Sequence, residues 1–216
     1  ALTCARMKMA HEAKVPVVIH LDHGMTFNNI VKAMSMGFGG VMIDGSHLSF
    51  DDNVHETKEV VKVAKALNIP VEAELGTVPG EEGVYSSQKT VLTDVGLVEK
   101  YLEVTGVDAL AICIGNAHGN HIKVPCLDLT RLQDIKKVSS VPLVLHGGSG
   151  LTDDDFRNCI KFGISKVNIF TDLCVAAITK INSAFSKKGN SEEKVKEMTY
   201  PGVISDTIEA VKQEAI

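Results

Sequence analysis

The sequence predicts an α/β fold, a (β/α)8 (TIM) barrel. Short Val/Ile/Leu-rich runs alternate with amphipathic stretches along the whole chain. The repeat is about 30 residues, the size of one strand–helix–strand unit. Polar residues stand at the C-terminal ends of nearly every apolar run: Asp22/His23, Asp44, Glu72/Glu74, His118, His146 and Asn168. The first two observations call for a parallel sheet buried on both faces. The third selects the barrel, which builds a site from several strand ends, over an open sheet with one switch point.

The opening ALTCARMKMAHEAK has helical character. The predicted strands are VPVVIHLD (15–22), FGGVMIDGS (38–46), IPVEAELG (69–76), VDALAICIG (107–115), VPLVLHGGSG (141–150) and ISKVNIFTD (164–172). Between them, 52–68 reads as a helix whose apolar face is Val54, Val60, Val61, Val63, Ala64 and Leu67 at helical spacing. TDVGLVEKYLEVTG and DLTRLQDIKKV read the same way. TDDDFRNCIKFG opens with an N-cap threonine and acidic residues and closes on glycine, the punctuation of a helix. The segment 77–87 reads as a long, acid-bearing loop, 186–202 as a polar connection, and 203–216 as a last helix. Six strands are visible where a barrel needs eight. The expectation is a single barrel domain over 1–216 that lacks its first two βα units, opening inside the helix before the third strand.

The 216 residues are 44% hydrophobic and 23% charged with a formal net charge of -5, which fits a soluble globular protein and argues against nucleic acid or an anionic membrane as partner. No apolar run reaches the roughly 18 residues of a membrane span, and the start lacks a signal-peptide layout. Cys4, Cys113, Cys126, Cys159 and Cys174 are an odd set without a CxxC pair, so reduced thiols in a cytoplasmic protein are expected.

His23, His118 and His146 each follow an apolar run, and each precedes a glycine. One histidine in such a place is commonly a hydrogen-bonded loop residue. Three at three strand tops match a tris-His zinc site with an open position. Asp22, beside His23, is suited either to general acid/base work or to orienting a metal ligand. His20 reads as support for them. Asp44 and Glu74 offer either a second metal position or hydrogen bonds within the barrel mouth. GGSG (147–150) runs into a helix near Thr152; its N–H groups, with Ser149, form an anion cradle. Asn168 and Thr171 in NIFTD add polar donors, which points to a phosphorylated ligand. Glu81 and Glu82 lie in the 77–87 loop, which is either a lid carrying a base or a solvated surface segment.

HLDHG, GFGGVMIDGSHLSFDDNV, VEAELGTVPGEEG, TGVDALAICIGNAHG, PLVLHGGSGL and KVNIFTD, in that order, closely resemble class II, zinc-dependent ketose-bisphosphate aldolases. The resemblance covers about residues 5–185. It implies zinc on His23, His118 and His146, with Asp44 and Glu74 near an alternate metal position. It implies Asp22 as the acid/base at the C4 hydroxyl and Glu82 as the proton carrier at C3. Gly119, Gly147, Gly148 and Ser149 would hold the dihydroxyacetone phosphate end, with Asn168, Phe170 and Thr171 beside it. A monovalent cation such as Na+ or K+ and a homodimer or homotetramer are implied too. The implied activity is reversible cleavage of fructose or tagatose 1,6-bisphosphate to dihydroxyacetone phosphate and an aldehyde. Two departures bear on substrate. Phe170 stands where fructose-bisphosphate members often carry Asp, and Ile122, followed by Lys123, stands where many carry Lys. The competing readings are an aldolase for another ketose 1-phosphate and a non-catalytic sugar-phosphate-binding relative. A Schiff-base aldolase would need a lysine at a strand end, and Lys166 sits at a strand start.

Overall fold

A computed structural model of the chain describes residues 2–82, 85–87, 89–119, 126–188 and 200–215. Helix α1 (Leu2–Glu12) leads into β1 (His20–Gly24), α2 (Phe27–Ser35), β2 (Gly40–Ile43), α3 (Phe50–Ala66) and β3 (Val71–Leu75). A hairpin of β4 (Gly80–Glu82) and β5 (Tyr85–Ser87) follows, then α4 (Val95–Thr105), β6 (Ala109–Ile112), α5 (Leu129–Val138) and β7 (Leu143–Leu145). The chain continues with α6 (Asp153–Phe162), β8 (Ile164–Val167), α7 (Thr171–Lys188) and α8 (Tyr200–Glu214). No described helix is long and apolar enough to cross a membrane.

Six strands form one parallel sheet in the order β1-β2-β3-β6-β7-β8. Each strand lies beside its predecessor in the sheet, as in an arc of a β/α barrel. The arc curls: Asn168, just beyond β8, reaches the Asp22 carboxylate at the top of β1, with its Nδ2 3.2 Å from both oxygens.

Alternation splits the sheet into two faces. Leu21, Val41, Ile43, Val71, Ala73, Leu110, Ile112, Leu143 and Leu145 pack outward in the main core, with the apolar sides of the helices. Each fully buried Val, Ile or Leu among them contributes about 1.5–3 kcal/mol. The concave face holds a small cluster of Met42, Ala111 and Val144. Two residues further along these strands come Asp44, Cys113 and His146. The concave face therefore carries this apolar cluster level with the paired Glu72 and Lys166, and a group of polar residues at its C-terminal mouth.

Several sequence boundaries move. The run 15–22 pairs only from His20, because Val15 and Val18 are 67% and 64% exposed and Pro16 has no N–H to donate. The other strands are also shorter than their apolar runs, and 171–172 belongs to α7. Leu67 is not on the buried face of α3; it is the C-cap, 52% exposed. Asn53 and Thr57 are buried on that helix instead. The 77–87 segment is not simply a loop but contains the β4–β5 hairpin, with Val78 wholly buried at its base. Residues 186–188 complete α7, and α8 starts three residues before the predicted 203, with Pro201 in its first turn. Residues 189–199 of the predicted connection lie outside the described residues, as do Ile122 and Lys123.

Polar groups on α3 and α4 are tied to the sheet through one network. Tyr101 donates from its hydroxyl to Asn53 Oδ1 at 2.9 Å, and Thr57 Oγ1 lies 3.0 Å from the same phenol oxygen. Asn53 Nδ2 donates to the Glu74 carbonyl at 2.9 Å. Tyr101→Phe removes a buried hydroxyl whose partners cannot reach water. It is expected to lower unfolding free energy by about 1–2 kcal/mol in urea denaturation.

Candidate metal and catalytic site

The mouth of the concave face gathers three imidazoles. His23, His118 and His146 each offer a ring nitrogen, all within 4.8 Å of one another, and all three residues are buried. His146 continues the inward alternation of β7. His23 does not follow alternation, because it succeeds the inward Asp22. Two features turn it inward: the β1–β2 ladder is irregular between Leu21 and Gly24, and His23 has φ 43. A left-handed non-glycine residue costs about 1–2 kcal/mol and is held only where its surroundings demand it. His118 comes from the loop after β6, fixed by its N–H donating to the Pro79 carbonyl at 2.7 Å. Asn116 braces that loop: its Nδ2 donates to the His146 carbonyl at 2.9 Å, and its Oδ1 accepts from Ile114 N at 2.8 Å.

The outer nitrogens of two rings face carboxylates. His23 Nδ1 lies 2.8 Å from Asp44 Oδ2, and His146 Nε2 lies 2.9 Å from Glu72 Oε1. Each such contact orients the ring and leaves the other nitrogen for a metal. His146 Nδ1 and His23 Nε2 face each other at 3.2 Å. Two nitrogens on one tetrahedral Zn2+, at bond lengths of about 2.0–2.1 Å, are separated by about 3.3 Å. The donor set and its spacing therefore fit zinc. His23, Asp44 and Glu74 form a second group of close ligand atoms, and Glu74 Oε2 is buried with no hydrogen-bond partner.

Charge in this mouth is finely divided. Burial pushes Asp44 up, but hydrogen bonds from His23 and Ser46 outweigh it and leave the carboxyl below its usual range. Burial also raises Glu72, yet the His146 bond and the Lys166 ammonium reverse this and bring it to about 2. Glu74 goes the other way. Burial, and then the Asp44 charge, raise it well above the carboxylate range against one N–H from Val78. Burial and then Lys166 lower His20, whose Nε2 is 3.6 Å from Glu72 Oε2.

Asp22 is exposed, held by the Asn168 amide, which also lies 3.2 Å from His146 Nε2. Beside it the loops after β7 and β8 interlock. Gly148 N donates to the Asn168 carbonyl at 2.9 Å, Gly150 N to Asp172 Oδ2 at 3.0 Å, and Asp172 N to Ser149 Oγ at 3.1 Å. A Cβ on Gly147 (φ 64) would strike the Ala117 carbonyl, so the 117–119 loop, ending in Gly119, packs directly on GGSG. The helix expected after GGSG does not present its N-terminus to an anion. Thr152 and Asp155 close a capping box on α6, and Asp153 and Asp154 stand in the same turn. Thr171 instead begins α7 next to Ser149, whose hydroxyl proton remains to be donated. Phe170 is 45% exposed at this edge. Glu82 has its backbone in β4; its side chain lies outside the described residues.

Sequence reading named Glu72 among the polar strand ends without giving it a role, and missed Lys166 and Asn116 as site residues. Period-two spacing from Glu74 would have placed Glu72 on the same face. Nothing local signals Lys166, whose carboxylate partner is 94 residues away.

The family model of class II fructose-bisphosphate aldolase matches residues 1–216. The chain is 42% identical over 201 residues to 6-phospho-5-dehydro-2-deoxy-D-gluconate aldolase of Bacillus licheniformis, covering 93% of this chain and 68% of that protein. It is also 42% identical over 177 residues to YdjI of Escherichia coli K12, spanning 81% of this chain and 63% of that protein's length. The crystal structure of the YdjI aldolase superposes with a TM-score of 0.81 at 33% identity, covering 99% of this chain and 71% of that one. A structure from Coccidioides immitis gives 0.88 at 29% identity over 99% and 73%.

Glu74 supplies a test of the electrostatics. Its raised folded-state pKa means that the fold favours the protonated carboxyl. Below the unfolded value both states are protonated and nothing is lost; stability falls as pH rises above it. Glu74→Gln cannot ionise and keeps an oxygen for Val78 N. The metal-free variant is expected to melt higher than wild type at pH 8 and level with it at pH 4, read by calorimetry.

Proposed function

The chain belongs to the class II fructose-bisphosphate aldolase family, and from that premise we propose that it is a zinc-dependent aldolase. It would cleave a phosphorylated ketose reversibly to dihydroxyacetone phosphate and an aldehyde. The observation that carries this reading is the convergence of His23, His118 and His146, two of them backed by carboxylates. These residues would hold Zn2+, which as a Lewis acid polarises the ketose carbonyl and stabilises the negative charge left when the C3–C4 bond breaks.

Asp22 takes the C4 hydroxyl proton as that bond breaks and returns it in the condensation direction. Asn168 fixes its carboxylate through both oxygens, so the base waits in one orientation. The Ser149 hydroxyl, Gly119, Gly147, Gly148 and Thr171 at the start of α7 receive the phosphate. Glu82, carried on the hairpin, moves the proton at C3. Asp44 and Glu74, with His23, would provide an alternate metal position, and a monovalent cation would sit by the phosphate. In the same reading the six strands belong to a closed (β/α)8 barrel. Their in-order parallel pairing and the Asp22–Asn168 contact across the concave face support it. A cytoplasmic homodimer or homotetramer is part of the proposal.

The proposed substrate is fructose or tagatose 1,6-bisphosphate. Phe170 favours a second reading, another ketose phosphate, because its ring cannot accept a hydrogen bond from a substrate hydroxyl. The 2-deoxy substrate in the name of the Bacillus relative has one fewer hydroxyl to satisfy. Offering all three substrates, with chelation and zinc restoration, is expected to give zinc-dependent release of dihydroxyacetone phosphate from one of them. Silence on all three by zinc-loaded protein overturns the bisphosphate-aldolase assignment and points to another phosphorylated ketose or to a binding role. Asp22→Asn is expected to lower kcat by about 10²–10⁴-fold while zinc content, by atomic absorption, stays that of wild type.

A further inference from the structure

We propose that Lys166 is a positioning residue for the zinc-binding imidazole of His146, acting through Glu72; this rests on the metal site proposed above. Lys166 leaves β8 on the concave face, and its Nζ lies 2.6 Å from Glu72 Oε2. The other oxygen, Oε1, lies 2.9 Å from His146 Nε2. The three groups form a chain across β8, β3 and β7, the Glu72 side chain only 3% exposed.

Two neighbours compete for His146 Nε2, and they demand opposite tautomers. The Glu72 carboxylate is an acceptor, so it requires Nε2–H and leaves the lone pair on Nδ1. The Asn168 amide nitrogen, 3.2 Å from the same atom, is a donor, so it requires a lone pair on Nε2 and a proton on Nδ1. Only the first tautomer presents a free Nδ1 towards His23 Nε2, 3.2 Å away. Lys166 decides the contest. Among the described residues it supplies the one permanently charged partner of a buried carboxylate whose other neighbours are the His146 and His20 imidazoles, and it anchors Oε2 so that Oε1 faces the ring. A cation on β8, two residues before Asn168, thereby sets the ligand geometry at the mouth.

The test uses Lys166→Met and Lys166→Arg in the full chain. Zinc affinity is measured by competition with a chromophoric chelator, and histidine tautomers by long-range ¹H–¹⁵N spectra of metal-free, ¹⁵N-histidine-labelled protein. In wild type His146 is expected as the Nε2–H form with tight zinc. Lys166→Met is expected to bind zinc about 10–100-fold more weakly, with His146 shifted towards Nδ1–H. Lys166→Arg keeps the cation and is expected to retain both wild-type properties. A folded Lys166→Met variant with wild-type zinc affinity and tautomer overturns the proposal, even if its melting temperature falls. Should that variant not fold, an Nδ1–H tautomer of His146 in wild type alone overturns it. Wild type that takes no zinc overturns the metal site itself, a distinct failure, because the tautomer reports the Lys166–Glu72–His146 chain without metal.

Discussion

Side chains on a strand alternate between faces, and in this sheet the two faces meet different surroundings. The outer face meets helices and is filled by Val, Ile and Leu. The inner face meets only the other strands of the arc, so each inward residue has to be small, apolar or paired. Ala109 and Ala111 are small, Met42 and Val144 are apolar, and Glu72 is paired three ways. The polar mouth follows from that sorting: the inward positions nearest the C-terminal ends are the ones that can both be polar and reach a ligand.

The parallel sheet and most of the helices were legible because apolar periodicity and capping residues are local signals. Thr152 with Asp155 marks the start of α6 in the sequence as plainly as in the structure. The His trio was legible from repeated context, each ring after an apolar run and before glycine. The mechanism of convergence was not. Strict alternation points His23 away from the site, and the ladder irregularity that redirects it depends on β2, at the far end of a helix. The short hairpin was read as loop because its strands span three residues each. Lys166 was set aside for standing at the start of the run 164–172; β8 spans only Ile164–Val167, so Lys166 is one residue from its C-terminal end, and the apolar run alone did not mark where the strand stops.

Glu72 and Glu74 share a strand and a face, yet they are driven in opposite directions. The difference is not depth, since both are buried. Glu72 has an ammonium and an imidazole as partners, whereas Glu74 has a backbone N–H and a neighbouring carboxylate. One carboxyl is thereby driven towards its anion beside the imidazole cluster and the other towards its neutral acid, without any change in residue type.

The bond from His118 N–H to the Pro79 carbonyl has a further meaning. Pro79 immediately precedes β4, so the hairpin and one imidazole of the cluster share a backbone hinge point. In the proposed metal site, a shift of the hairpin would displace one candidate ligand out of three. The optical spectrum of a cobalt-substituted centre would then act as a strain gauge for a surface segment that carries no chromophore of its own.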